Sequence, residues 1–328
     1  MAIEPVEWMG RVSVAPMMDW TDRHCRYFHR LLTKKTLLYS EMITTGALMH
    51  GDIARHLDFD ELEYPVALQL GGSEPMDLAH CAKLGERWGY SEINLNCGCP
   101  SERVQRGSFG ACLMAEPQLV ADCIKAMCDA VSVPVTVKHR IGIDKEERYE
   151  FVRDFVGELA RAGCNTFIVH ARNAWLSGLS PKQNREIPPL RYGLVHQLKR
   201  EFPALNISIN GGICTAAQMH QQLEQVDGVM IGREAYHNPW IMSTWDEQFF
   251  GQQPSHLNRD AIEKAMVLYM QDQAKSGVGW YSIARHMLGL RHEQPGARKW
   301  RQGWSNHQLK NSDAALVSQL AARVPDGP

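Results

Sequence analysis

Residues 205–232, LNISINGGICTAAQMHQQLEQVDGVMIG, contain one complete strand–helix–strand unit. An apolar, β-branched run covers 205–210, helix-like apolar spacing covers 215–225, and a second apolar run covers 228–232. Glycine or polar residues close each run. Because the two runs are nearly continuously apolar and are separated by a helix, they predict parallel strands that are buried on both faces.

Six further runs of the same kind precede this unit. They are Arg11–Met17, Leu37–Ile43, Pro65–Gly71, Glu92–Asn96, Val133–Lys138 and Thr166–Ala171. The starts of the eight runs are 23 to 41 residues apart, which leaves room for a loop and a helix between neighbours. Eight such units favour a closed barrel over an open doubly wound sheet. We therefore predict an α/β fold, a (β/α)8 TIM barrel followed by a small C-terminal helical domain.

The pattern changes near residue 243. The stretch 244–258 is mixed and polar, and from 259 onward helix-like spacing recurs without any strand-like run. We predict a catalytic barrel domain over 1–243, a linker over 244–258 and a helical domain over 259–328.

Composition excludes several classes of protein. Of the 328 residues, 44% are hydrophobic and 22% are charged, which argues against a disordered or fibrous chain. The net charge of −2 excludes a protein that coats nucleic acid through bulk positive charge, although a local basic patch is compatible with it. No apolar run approaches the ~18 residues that span a bilayer, and no signal-like segment opens the chain, so we expect a cytoplasmic protein without a membrane partner.

The nine cysteines do not predict a disulfide framework. Their number is odd and they are spread through a long chain. Cys97 and Cys99 are the closest pair, and no second pair matches them, so we predict no metal site. Most of these thiols are expected to be small buried apolar groups.

Polar side chains recur at the C-terminal ends of the predicted strands. They are Gln69, Asn94, Asn96, Lys138, Arg140, His170, Arg172, Asn210 and Arg233. In a barrel these ends open onto one face, where active sites of this fold lie. Asn210-Gly211-Gly212 and Gly232-Arg233 follow the seventh and eighth strands, the usual phosphate site of such barrels. The pattern therefore predicts a cofactor that carries a phosphate group.

Two further features each have two interpretations. Cys112 lies between a glycine-rich turn and a helix that begins near Pro117, so it either faces an active site or only starts a packed helix. The segment Ser282–Lys310 has a net charge of +5 and contains Trp300 and Trp304. It is either a basic, aromatic RNA-binding surface or a solvated helix with packed tryptophans.

Several motifs together resemble the tRNA-dihydrouridine synthase family of flavoenzymes. They are VAPMMDWTD (14–22), NLNCGCPS (94–101), GACL (110–113), VKHRIG (137–142), HAR (170–172), NGG (210–212) and GR (232–233). The stretches DWTDRHCRYF (19–28) and NREIPPL (184–190) resemble the A-type branch of that family. Position 97 departs from the family pattern, and we expect no chemical role for Cys97.

The resemblance implies a reaction and a set of roles. The family reduces uridine to 5,6-dihydrouridine in tRNA with bound FMN and with NADPH as electron donor, and its A-type branch acts at positions 20 and 20a of the D-loop. Hydride would pass from N5 of reduced FMN to C6 of uracil, and a proton would pass from Cys112 to C5. No obligate protein partner is implied.

The remaining site residues follow from the same resemblance. The residues expected to bind FMN are Pro16, Met17, Met18, Gln69, Lys138, His170, Asn210, Gly211, Gly212, Gly232 and Arg233. Those expected to contact uracil or tRNA are Asn96, Phe109, Lys182, Arg185, Arg298 and Arg301. Two alternatives stay open: an FMN barrel enzyme that acts on a small molecule such as a free pyrimidine, and a non-catalytic RNA-binding barrel protein.

Overall fold

Eight parallel strands form a closed barrel. The computed structural model describes residues 10–101, 104 and 107–322. The strands are β1 (Val12–Val14), β2 (Leu37–Thr44), β3 (Val66–Gly71), β4 (Glu92–Cys97), β5 (Val135–Arg140), β6 (Thr166–His170), β7 (Asn206–Asn210) and β8 (Gly228–Ile231). Each strand pairs in parallel with the next, and β1 closes the barrel against β8. The predicted TIM barrel, and each of its eight strands, is confirmed.

Helices follow most of the strands, as the apolar spacing predicts. Those between β2 and β8 are Thr45–His50, Ile53–Leu57, Pro75–Arg87, Pro117–Cys128, Tyr149–Arg161, Tyr192–Glu201 and Ala216–Leu223. Pro75 and Pro117 each occupy the first turn of a helix, where the missing N–H costs nothing. Thr215 and Gln218 form a capping box that starts the helix after β7. These local signals place the helices on the chain.

Packing divides the chain into two compact units. The first contains Thr36–Gly232 together with the described residues up to Asp19, and the second contains Trp20–Lys35 and the described residues from Arg233 onward. The predicted domain bounds rest on composition rather than on packing, and they stay predictions. Residues 1–9 and 323–328 of the predicted domains lie outside the described residues.

The second unit is helical. Its helices are Arg23–Leu32, Arg233–His237, Trp245–Phe250, Arg259–Ala274, Trp280–Ala284, Ala297–Trp304 and Ala314–Ala322. Trp245–Phe250 lies inside the stretch that composition marked as a linker, and three of its aromatic side chains are buried. Among the helices that the structure describes, none is both long and apolar enough to cross a membrane.

Buried apolar side chains and a group of buried polar side chains share the barrel interior. Leu37, Tyr39, Ala67, Ile168 and Met230 belong to one buried apolar cluster. Alternate residues of each strand point inward, so this cluster lies beneath the polar residues that end the strands. The barrel interior thus combines this apolar cluster with buried polar side chains, and polar side chains also line the mouth.

Candidate active site at the barrel mouth

The loop after β7 approaches a histidine closely. Gly211 and Gly212 have φ values of +119° and +69°, a region that residues with a Cβ rarely adopt. A Cβ on Gly211 would lie 2.8 Å from His170 Cδ2. The hydroxyl of Tyr192 donates a hydrogen bond to the Gly211 carbonyl oxygen over 2.6 Å. Only glycine therefore lets this backbone lie against the imidazole.

A lysine near the C-terminal end of β5 lies beside the same loop. Lys138 Nζ donates to Asn210 Oδ1 over 3.2 Å, and Asn210 Nδ2 donates to the Met230 carbonyl oxygen over 2.8 Å. Burial, with the neighbouring charge of Arg140, lowers the pKa of Lys138 to about 7. The ammonium donates to an amide oxygen rather than to a carboxylate, so an anion placed here would stabilise its charged form.

His170 is held as a neutral imidazole. Burial lowers its pKa well below the usual range, and the positive charges of Arg140 and Lys138 act in the same direction. The ring lies at the end of β6, against Gly211. A neutral imidazole can pack against an apolar ring without the desolvation cost of a cation.

Two amide side chains complete the inner wall of the mouth. Gln69 lies on β3 and is only 1% exposed, and its Oε1 accepts a hydrogen bond from Asn96 Nδ2 over 2.8 Å. Asn96 Oδ1 in turn accepts from the backbone N–H groups of Gly98 and Cys99. Both amides are thus fixed in orientation at the C-terminal ends of neighbouring strands.

The residues predicted to back a planar ring follow β1. Pro16 and Met17 are half-buried, and Met18 is 53% exposed. Gly232 directly follows β8, and a Cβ there would meet only Ala15 Cβ at 3.8 Å, so packing alone does not demand glycine at this position. Arg233 begins the helix Arg233–His237 of the second unit.

Phe109 packs over the end of β3. A Cβ on Gly71 would lie 2.9 Å from its ring, and a Cβ on Gly107 would lie 2.3 Å from it. These two glycines leave the space that the half-buried ring occupies. The first unit therefore brings Phe109 to the same barrel end as Gln69.

Two cysteines lie in the loop region after β4. Cys112 is in the 3₁₀ helix Gly110–Ala115, its Sγ donates to the Phe109 carbonyl oxygen over 3.1 Å, and burial raises its pKa. The backbone N–H of Cys99 binds Asn96, and a negative charge on this thiol would raise the pKa of Lys138. Cys99 is thus the thiol tied to the amide and lysine of the mouth.

Sequence reasoning missed Cys99. Its signal was present, because Cys99 stands three residues after Asn96 at the end of a strand. The spacing of Cys97 and Cys99 resembles a metal-binding pair instead, for which the sequence offers no matching second pair. Cys97 is fully buried on β4, whereas Cys99 is partly accessible. Among the described residues, no group of three or more His, Cys, Asp or Glu side chains could hold a metal ion.

A buried arginine connects two loops of the mouth. Arg140 Nε donates to the Gly98 carbonyl oxygen over 3.2 Å, and its Nη1 donates to the Asn184 carbonyl oxygen over 3.0 Å. Lys182 and Arg185 flank Asn184, and both are exposed. The charge of Arg185 contributes to the low pKa of His170, which places it near the mouth.

In the second unit, two arginines are exposed and two tryptophans are buried. Arg298 and Arg301 are exposed on the helix Ala297–Trp304. Trp300 and Trp304 are buried, and their indole N–H groups donate to Glu263 over 2.9 and 3.1 Å. These tryptophans form the core of the unit, so they do not offer a stacking surface to a base.

Two arginines of the basic segment 282–310 form ion pairs within this unit. Arg285 binds Asp22 over 2.9 Å, and Arg291 binds Asp260 and Glu263. Their charges are thereby partly neutralised. The exposed basic residues of the segment 282–310 outside these pairs include Arg298, Arg301 and Lys310.

Comparison with known proteins identifies close relatives. A family model described as "Dihydrouridine synthase (Dus)" matches residues 13–324. The chain is 58% identical to "tRNA-dihydrouridine(20/20a) synthase" of Escherichia coli (strain K12), over 98% of this chain and 93% of that protein. It is 55% identical to the protein of the same name from Vibrio vulnificus (strain CMCP6), over 96% of this chain and 97% of that protein.

Two solved structures share the barrel at low sequence identity. Morphinone reductase has a TM-score of 0.51 and 14% identity, covering 77% of this chain and 88% of that chain. A 2-naphthoyl-CoA reductase in complex with 2-naphthoyl-CoA has a TM-score of 0.54 and 10% identity, covering 72% of this chain and 50% of that chain. At these identities the likeness concerns the fold alone.

Proposed function

Because the chain belongs to the dihydrouridine synthase family of enzymes, we propose that it reduces uridine to 5,6-dihydrouridine at positions 20 and 20a of the tRNA D-loop. We further propose FMN as the bound cofactor, NADPH as the electron donor and the cytoplasm as the place of reaction. The observation that carries the proposal is the position of Gly211 against His170 at the barrel mouth, with Lys138 bonded to the adjacent Asn210.

The residues at the mouth fit a flavin mononucleotide. Gly211 and Gly212 hold positive φ values and leave backbone N–H groups free of Cβ crowding, as a phosphate site requires. Lys138 supplies a partly buried cation whose pKa is lowered. An anionic edge of the flavin ring beside it would raise this pKa back toward its usual value. His170 is neutral and lies against Gly211. The chain therefore offers a phosphate cradle, a cation and an uncharged wall.

We assign binding roles to this chain's residues accordingly. Asn210, Gly211, Gly212, Gly232 and Arg233 would hold the phosphate. Pro16, Met17, Met18, Gln69, Lys138 and His170 would hold the ring. When bound, FMN would supply the reducing equivalent that no protein side chain can deliver.

The target base is held and protonated by the chain itself. Asn96 would hold uracil by hydrogen bonds, and Phe109 would pack beside it. Lys182 and Arg185 in the barrel unit, and Arg298 and Arg301 in the helical unit, would bind phosphates of the tRNA. The base must leave the stack to reach a barrel mouth, and a loop base does so at lower cost than a paired one.

Two thiols compete for the role of proton donor to C5. Cys112 is the residue that the family resemblance suggested, and its raised pKa keeps it protonated, as a donor must be. Cys99 has the better position, since its backbone N–H binds the side chain of Asn96, which is proposed to hold uracil. The Cys112 thiol donates a hydrogen bond to the Phe109 carbonyl oxygen over 3.1 Å, whereas the Cys99 thiol donates to the Ser101 hydroxyl over a longer 3.5 Å. These contacts favour Cys99.

Single-turnover kinetics of Cys99→Ala and Cys112→Ala test this assignment. Each reduced, FMN-loaded variant is mixed with unmodified tRNA, and dihydrouridine is counted by mass spectrometry. Loss of the donor should slow product formation by about 10² to 10⁴-fold while FMN stays bound. We expect the loss in Cys99→Ala. A wild-type rate in that variant, with the loss in Cys112→Ala, would assign the donor to Cys112.

The reaction itself has a separate test. The wild-type protein, supplied with FMN and NADPH, should form dihydrouridine in tRNA and not in free uridine or uracil. Reduction of the free pyrimidine at a comparable rate would support the small-molecule alternative. A protein that binds tRNA but cannot be loaded with FMN would refute the proposed function.

A further inference from the structure

A continuous series of buried side chains leads from the barrel base to the mouth. Glu92, Asn94 and Asn96 lie on one face of β4, because they are two residues apart. Asn94 is in register with Gln69 of β3 on one side and with Thr136 of β5 on the other. All of these side chains are at most 9% exposed. An apolar interior would be the ordinary content of such a barrel.

Hydrogen bonds join these side chains in one direction. Asn96 Nδ2 donates to Gln69 Oε1 over 2.8 Å, and Gln69 Nε2 donates to Asn94 Oδ1 over 2.7 Å. Asn94 Nδ2 then donates to Thr136 Oγ1 over 2.8 Å, and the Thr136 hydroxyl donates to Glu92 Oε1 over 2.6 Å. We call this series the β4 relay; its members are Asn96, Gln69, Asn94, Thr136 and Glu92.

Both ends of the β4 relay demand the same direction. At the top, Asn96 Oδ1 meets two backbone N–H groups, which can only donate, so its amide cannot be reversed. At the base, Glu92 Oε1 accepts from two hydroxyls, those of Thr136 and Tyr39. A reversed Gln69 amide would face N–H against N–H at Asn96 and oxygen against oxygen at Asn94. The series therefore has one satisfied arrangement.

We propose that Glu92 and Thr136 are positioning residues that act through the β4 relay to hold the amide of Gln69 in one orientation at the mouth. This inference rests on the proposed function, since Gln69 is proposed there to bind the flavin ring. Neither Glu92 nor Thr136 is proposed to touch a ligand. Burial of a carboxyl group in the interior is costly, and the proposed role gives this group a use that an apolar residue could not supply.

Thr136→Val is the direct test, because valine keeps the shape of threonine and removes the hydroxyl. Asn94 Nδ2 then loses its acceptor, and the amide of Gln69 loses its support from below. We expect the apoprotein to bind FMN about tenfold more weakly, measured by quenching of FMN fluorescence. Thr136→Ser keeps the hydroxyl and should restore the affinity to within about twofold of the wild type.

Tyr39→Phe is the matched control. It removes an equally buried hydroxyl that donates to the same oxygen of Glu92, and it leaves every bond of the β4 relay in place. Its thermal unfolding midpoint should fall about as much as that of Thr136→Val, since each variant loses one buried hydrogen bond. Its FMN affinity should stay within about twofold of the wild type.

Asn94→Ala interrupts the β4 relay one bond nearer to Gln69 and serves if Thr136→Val does not fold. It should also weaken FMN binding about tenfold. Wild-type affinity in the folded variant, or an equal loss of affinity in Tyr39→Phe, would overturn the inference. A wild-type protein that binds FMN but forms no dihydrouridine would instead contradict the proposed function. The FMN affinities of the variants could still be compared in that case.

Discussion

Gly211→Ala tests the packing on which the proposed cofactor site depends. At φ +119° an alanine is strained, which costs roughly 1–3 kcal/mol. Its Cβ would also lie 2.8 Å from His170 Cδ2 and 3.1 Å from Leu190 Cδ2. Such overpacking adds about 1–3 kcal/mol, because a ring and a branched side chain must both move. The two contributions sum to about 2–6 kcal/mol in free energy of unfolding, and we expect a loss of about 3 kcal/mol, in the lower half of that range.

Gly178→Ala separates strain from contact. Gly178 has a φ of +80°, and a Cβ there would meet nothing within 4 Å. This variant should lose only about 1 kcal/mol, from the backbone alone. For a unit of this size each kcal/mol lowers the thermal unfolding midpoint by roughly 2–4 °C. Differential scanning fluorimetry of the two apoproteins should therefore show about three times the shift in Gly211→Ala.

The same pair of variants should differ in cofactor binding. Displacement of His170 disturbs the proposed ring wall, so Gly211→Ala should bind FMN at least tenfold more weakly. Gly178→Ala should bind FMN like the wild type, since Gly178 is exposed on the loop after β6. Equal shifts of the unfolding midpoint in the two variants, or wild-type FMN affinity in Gly211→Ala, would refute the packing argument.

Three further predictions follow from the electrostatics and packing of the two units. The FMN affinity of the apoprotein should fall by up to about tenfold per pH unit between pH 7 and 9, because Lys138 in the unliganded protein has a pKa of about 7 and loses the positive charge that favours an anionic ligand. The variant Lys138→Met should bind FMN weakly and without this pH dependence when it is titrated by fluorescence. Glu263→Ala leaves two buried indole N–H groups without their acceptor and should cost about 3 kcal/mol in chemical unfolding, whereas Glu263→Gln keeps one acceptor oxygen and should cost less. Replacing Arg298 and Arg301 together by Ala should weaken tRNA binding and reduce the slope of log Kd against log salt concentration by about 2. Replacing the exposed Arg200 by Ala is the control and should change neither the affinity nor the slope. An unchanged slope in the double variant would remove both arginines from the proposed interface.

The sequence pattern was sufficient for the barrel because strand and helix periodicities are local. The run 166–171 predicts β6, and the structure has it at Thr166–His170. Polar residues at the run ends also predict which barrel end carries the site, because all parallel strands point the same way. Lys138 and His170 accordingly lie at one mouth, where burial and the positive charges of Arg140 and Lys138 lower the pKa of His170.

Other features depend on contacts between distant residues, and the pattern could not supply them. Trp300 and Trp304 alternate with arginines in sequence, yet they point into the core because Glu263, far earlier in the chain, accepts both indole N–H groups. Helical spacing places Arg298 and Arg301 together but says nothing of which side is covered.

The sequence by itself thus determined the eight strands, the helices between most of them, and the end of the barrel at which the chemistry-bearing side chains gather. Only the tertiary structure decided that the Cys99 backbone binds the Asn96 side chain, that Gly211 lies against His170, and that Glu92 is connected to Gln69 through Asn94 and Thr136. The physical reason is range. Backbone periodicity is written in neighbouring residues, whereas orientation, burial and pKa depend on groups that only the closed barrel brings within a few ångströms.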